Sequence, residues 1–157
     1  MNTPWICNVS AKDIICDWFP RTEHMVLIQI SEPGTIPPHA PAGVFQEVHQ
    51  FFFLDADEEN CPENLKSQLI SDEVANNLAN ILTRCLERDI SIVVHCRAGL
   101  CRSGAVAEVG IILGFNKTKN PRIPNPMVKR KLLKALGLGD STVESDTSPD
   151  LFSQSWD

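Results

Sequence analysis

The 157-residue chain lacks the features that would place it in a membrane, outside the cell or around a metal. No apolar run approaches the roughly 18 residues needed to cross a bilayer. The opening Met-Asn-Thr-Pro-Trp-Ile-Cys has neither the basic start nor the long apolar stretch of a secretory signal, so a cytoplasmic protein is expected. No Cys-x-x-Cys or His-x-x-x-His pair occurs, which argues against a zinc site. The six cysteines (Cys7, Cys16, Cys61, Cys85, Cys96 and Cys101) are scattered rather than spaced as a disulfide scaffold, which fits a reducing compartment. No internal repeat is visible.

Acid and base are unevenly distributed. Residues 140–157 contain Asp140, Glu144, Asp146, Asp150 and Asp157 without a single base, so most of the net charge of −6 lies in that stretch. Few bulky apolar residues occur there, which predicts a disordered acidic tail after one folded domain over residues 1–139. Just before it, residues 117–134 hold Lys117, Lys119, Arg122, Lys129, Arg130, Lys131 and Lys134 and no acid. Such a segment can gather anionic substrates, and it equally fits a solvated helix face.

The apolar pattern alternates between strands and helices. Met25 to Ile30 and Gln50 to Leu54 read as buried strands, separated by an irregular stretch with Pro33, Pro37, Pro38 and Pro41. Residues 1–24 mix polar and apolar positions and place only short elements. Ser71 reads as an N-cap, with Asp72 and Glu73 in the first turn and a stripe of Val74, Leu78, Ile81, Leu82 and Cys85 running towards Arg88. A β-branched run at 90–95 is followed by a helical pattern over 102–114. The last helix opens at Asn125-Pro126, carries Val128, Leu132, Leu133 and Leu136, and closes at Gly137. Strands alternating with helices predict an α/β fold with a mostly parallel central sheet flanked by helices. Ligands of such sheets bind beyond the carboxyl ends of the strands.

The most informative stretch lies at that place: Ile-Ser-Ile-Val-Val-His-Cys-Arg-Ala-Gly-Leu-Cys-Arg-Ser-Gly over residues 90–104. Strand, short glycine-containing loop and helix amino terminus together form an anion cradle, from loop N–H groups and the positive end of the helix dipole. A cysteine at its mouth, Cys96, is predicted to be a reactive thiolate. Arg102 at the far end of the loop can clamp two oxygens of a phosphate in a bidentate fork. The competing reading of Cys96 is a small buried hydrophobe.

The string His-Cys-x5-Arg-Ser resembles the signature of the protein tyrosine phosphatase superfamily, and Gly99 with the modest length resembles its dual-specificity branch of bacterial and viral type. Ile30-Ser31-Glu32-Pro33, Phe53-Leu54-Asp55-Ala56-Asp57 and Pro124-Asn125-Pro126 are similar to further segments of that branch, so the likeness spans residues 25–137. The resemblance implies a cysteine-phosphatase fold with the phosphate loop between a strand and a helix. It also implies a two-step hydrolysis needing no metal or organic cofactor. Cys96 would attack phosphorus; Arg102 and the N–H groups of Arg97, Ala98, Gly99, Leu100, Cys101 and Arg102 would hold the oxygens; Ser103 would assist release of the sulfur. His95 would orient the loop by hydrogen bonds, with core packing as the rival role. Asp57 and Asp55 are the candidate general acids, Asp57 aligning better with the preceding strand, although both lie further from Cys96 than is usual in the family.

Cys101 departs from the common dual-specificity pattern. The Cys-x4-Cys-Arg-Ser spacing is shared with low-molecular-weight tyrosine phosphatases and implies that oxidised Cys96 can be trapped as a disulfide with Cys101. The expected partner is a phosphorylated protein carrying phosphotyrosine or phosphoserine/threonine. RNA 5′ ends, nucleotides and phosphoinositides remain alternatives, so nucleic acid stays open as a partner. A non-catalytic phosphate-binding module and a rhodanese-type sulfurtransferase complete the range of readings.

Overall fold

The computed structural model describes residues 3–119 and 123–138. The expected domain boundary at 139, the acidic tail over 140–157 and Arg122 lie outside the described residues. Five strands form one sheet: β1 (Trp5–Ser10), β2 (Met25–Ser31), β3 (Glu47–Phe52), β4 (Ser91–Cys96) and β5 (Asn116–Lys117). Their order is β3-β2-β4-β1-β5, and every neighbouring pair is parallel. Among the described residues four α-helices accompany them: α1 (Ala11–Ile15), α2 (Asp72–Glu87), α3 (Arg102–Leu113) and α4 (Pro126–Ala135). The α/β class and the helix-flanked parallel sheet are thus as expected.

Side chains alternate across each strand and divide the core in two. One face, with Ile28, Ile30, Ile92 and Val94, packs on α2, α3 and α4. The other, with Cys7, Val9, Leu27 and Val93, is covered by Ile14 of α1 and by Ala40, Val44 and Phe45 of the proline-rich segment. That segment stays in place because the buried Gln29 amide donates to Pro38 O at 2.8 Å and Gln46 N donates to Met25 O at 2.9 Å.

Helix boundaries follow their caps. Ser71 accepts from Val74 N at 3.1 Å and starts α2, whose buried stripe of Leu78, Ile81, Leu82 and Cys85 is the one read from the sequence. α3 is buried on nearly all sides and ends at Gly114. α4 starts at the expected Asn125-Pro126.

Three elements differ from expectation. The strand placed at Gln50–Leu54 runs instead from Glu47 to Phe52 at the edge of the sheet, with Val48 and Phe52 about two-fifths exposed. Its polar residues suit an edge: Glu47 accepts from Arg84 at 2.6 Å and lies 2.8 Å from His49. β1 has no clear strand pattern in the sequence, because Asn8 interrupts its apolar run, yet it pairs in register with β4 from Ile6 opposite Ile92 to Ser10 opposite Cys96. A 3-10 turn over Glu63–Gln68 fills the connection into α2.

Candidate active site

β4 delivers His95 and Cys96 to the carboxyl edge of the sheet between β1 and β2, and α3 begins six residues later at Arg102. The segment between them is shaped from outside. The carbonyls of Arg97, Gly99 and Cys101 all accept bonds from beyond the loop. Their donors are Ala11 N at 3.3 Å, the buried Asn8 amide at 2.8 Å, and Asn125 N at 2.9 Å. The N–H groups of residues 97–101 donate to no acceptor among the described residues. A loop with its carbonyls pulled outward and its N–H groups unspent is a local concentration of positive dipole ends.

Gly99 makes this seat possible. Its φ of +76° is in the left-handed region, and a Cβ there would stand 2.6 Å from Ser10 N and Val9 C. Both contacts are main chain, so the loop could not accept a side chain without lifting off β1.

Cys96 is 2% exposed, and its Sγ lies 3.1 Å from the Ser103 hydroxyl in the first turn of α3. Arg102 is also 2% exposed. Its Nη2 donates to Glu32 Oε2 at 2.6 Å and its Nη1 to Phe53 O at 2.9 Å, while Nε is buried without a partner. The guanidinium is therefore braced by the ends of β2 and β3, with one N–H left unpaired. An orphaned buried donor costs about 1–3 kcal/mol, which an anionic ligand would recover. Glu32 lies in the Ile30-Ser31-Glu32-Pro33 segment, and its grip on Arg102 has no sequence signal, because two residues seventy positions apart leave none locally.

The two aspartates have different surroundings. Asp57 Oδ1 accepts from the backbone N–H of Glu59 at 3.0 Å and of Asn60 at 2.9 Å, so this carboxylate holds its own turn together. Asp55 is exposed and turned towards the cysteine loop. It receives the Asn125 side-chain amide at 2.9 Å and lies against the Cys101 thiol. Burial pushes the Cys101 pKa up, and the charges of Asp55 and Cys96 add to the effect. Cys101 thus stands as a neutral thiol between Asp55 and Cys96. All six cysteines are free thiols. Buried Cys85 is pushed up to about 11 by desolvation and is chemically quiet.

His95 is 1% exposed, and neither ring nitrogen has a hydrogen-bond partner among the described residues. Burial lowers its pKa to about 4, with the Arg102 charge reinforcing the shift and the nearby Cys96 backbone opposing it. The ring is neutral at physiological pH and packs as part of the floor. Arg97 and Ala98 are exposed, Leu100 is half-buried, and Arg97 borders a cleft of about 370 Å³ shared with Ser31, Glu32, Ile36, Pro38 and His95.

The basic segment is less free than its sequence implies. Lys129 lies 3.3 Å from Glu108, Arg130 2.6 Å from Glu58 and Lys131 2.8 Å from Asp72. These cations pair α4 with its neighbours instead of facing solvent alone. Among the described residues no group of three His, Cys, Asp or Glu side chains is arranged to hold a metal ion, and no helix is long and apolar enough to cross a membrane. No protein-family model matches the chain, and neither does any curated protein.

Proposed function

We propose that the chain is a cysteine-dependent phosphoester hydrolase of the protein tyrosine/dual-specificity phosphatase type, with residues 96–102 as its phosphate loop. The observation that carries this reading is the polarity of the loop. Outward carbonyls, unspent N–H groups and a buried, unpaired Arg102 Nε surround the segment that begins with Cys96. A phosphate dianion satisfies all of these donors at once.

In the first step Cys96 thiolate attacks phosphorus, the P–O bond to the leaving group breaks, and an aspartic acid gives that oxygen its proton. In the second step water attacks the phosphocysteine, its proton returns to the same carboxylate, and the P–S bond breaks to restore the thiolate. The Ser103 hydroxyl, 3.1 Å from Sγ, donates to the departing sulfur. We assign the acid to Asp55 over Asp57, because Asp55 lies against Cys101 of the cysteine loop, whereas the hydrogen bonds of Asp57 Oδ1 stay within its own turn.

A phosphorylated protein suits the surroundings better than a polyanion. Three cations of the basic segment are already paired with acids. The cleft beside Arg97 mixes the apolar Ile36 and Pro38 with the charged Glu32 and Arg97, a combination that fits peptide flanking a phosphoresidue.

Hydrolysis of phenyl phosphate in the presence of EDTA and dithiothreitol tests the assignment. Cys96→Ser should abolish turnover. Asp55→Ala should lower kcat by about 100-fold or more, the usual contribution of general acid catalysis. Asp57→Ala should stay within about threefold of the parent. The reverse ranking of the two aspartates would return the acid role to Asp57, and an inactive parent would remove the enzyme reading.

A further inference from the structure

Asn125 makes more connections than a helix cap needs. It is 5% exposed, and its Oδ1 accepts from Met127 N at 3.0 Å and Val128 N at 3.1 Å, which starts α4. Its backbone N–H donates to Cys101 O, at the end of the cysteine loop. Its Nδ2 donates to Asp55 Oδ1 at 2.9 Å and to Ala56 O at 3.2 Å. One residue therefore joins the start of α4, the cysteine loop and the turn that carries Asp55.

We propose that Asn125 is the positioning residue for Asp55, fixing which carboxylate oxygen is free to carry the proton. The inference rests on the phosphatase reading above. With Nδ2 bound to Oδ1, that oxygen is an occupied acceptor, and Oδ2 is left to bear the proton delivered to the leaving group. The bond to Ala56 O stops the turn from pivoting, and the bond to Cys101 O holds it in register with the loop. Asp55 is exposed, and besides its contact with the Cys101 thiol the Asn125 amide is what holds its rotamer. A freely rotating carboxylate spends only part of its time in reach of the leaving oxygen, and proton transfer depends on that geometry.

Asn125→Ser tests this, because serine is an equally good N-cap but is too short to reach Asp55. Two substrates separate positioning from general damage. Phenoxide is a poor leaving group that needs the proton; p-nitrophenoxide departs readily without it. In Asn125→Ser, kcat/KM on phenyl phosphate, which covers the steps up to phosphocysteine formation, should fall by about 10-fold or more, a fraction of the full general-acid effect. On p-nitrophenyl phosphate the fall in kcat/KM should stay within about threefold, while the later hydrolysis of the phosphocysteine, common to both substrates, slows kcat on each. In an Asp55→Ala background, adding Asn125→Ser should cost nothing further on phenyl phosphate, since its target is gone.

Equal losses of kcat/KM on both substrates, or a full additional loss in the Asp55→Ala background, would overturn the role of Asn125 while leaving the phosphatase reading intact. A thermal melt within a few degrees of the parent is expected for Asn125→Ser; a collapsed melt would show that the residue acts through folding and would overturn the proposal too. A parent that hydrolyses neither substrate would remove the phosphatase reading and this inference with it.

Discussion

Lowering the pH from 6.5 to 5 should destabilise the fold through His95. The imidazole is 1% exposed and its pKa in the folded chain is about 4, against 6.5 for a free side chain. Between these values the unfolded chain binds a proton that the folded chain refuses. Stability attributable to His95 is therefore complete above pH 6.5 and is lost as pH falls towards 4. The slope is about 1.4 kcal/mol per pH unit, so going from pH 6.5 to pH 5 removes about 2 kcal/mol. That is a large share of the roughly 5–15 kcal/mol that holds a typical domain together. The window is clean, because the lowered carboxylates of Glu47, Glu58 and Asp72 start from 4.5 or 3.8 and titrate below it. Urea unfolding at pH 7 and pH 5, on the parent and on His95→Gln and His95→Asn, isolates the effect. Both variants should start less stable yet lose about 2 kcal/mol less than the parent across that interval. Parallel pH dependences in parent and variants would refute the claim that His95 is buried neutral.

Gly99→Ala and Gly34→Ala form a matched pair, since both glycines have positive φ but only Gly99 has main-chain atoms within reach of a new Cβ. Gly34→Ala should cost about 1–2 kcal/mol of backbone strain, and Gly99→Ala clearly more, with loss of phosphatase turnover; equal costs in thermal unfolding would count against a loop seated on β1. Asn8→Ala should cost about 1–3 kcal/mol, because the Gly99 carbonyl loses its buried donor, and should lower turnover without abolishing it. Leu82→Ala, at a fully buried point of α2, should cost about 2–5 kcal/mol in urea unfolding and leave kcat unchanged.

What the sequence displays is local. The cap at Ser71, the stripe from Leu78 to Cys85 and the Asn125-Pro126 start each announce themselves within a few residues, and the structure places those helices accordingly. The passage from β4 through Cys96 to α3 is legible for the same reason. β1 is not, because a polar residue in a short strand reads as a break; Asn8 is tolerated there only since its amide is consumed by Gly99, ninety-one positions away. The difference between Asp55 and Asp57 is equally remote. The resemblance, with the preceding strand aligned, favours Asp57, whereas the bond from Asn125 to Asp55 spans seventy positions and exists only once α4 has packed. The basic segment misleads in the same manner, for its cations meet acids on α2, α3 and the aspartate turn. Local signals thus locate the cysteine loop, and long-range hydrogen bonds decide which side chains surround it.

The phosphocysteine itself is the most direct test. Protein quenched in acid during turnover of p-nitrophenyl phosphate, digested and analysed by mass spectrometry, should carry one added HPO3 on the peptide containing Cys96. The adduct should be absent from Cys96→Ser and should accumulate in Asp55→Ala, where water is no longer activated. Turnover in the parent with no phosphate on Cys96, or an adduct that survives in Cys96→Ser, would contradict the thiolate mechanism.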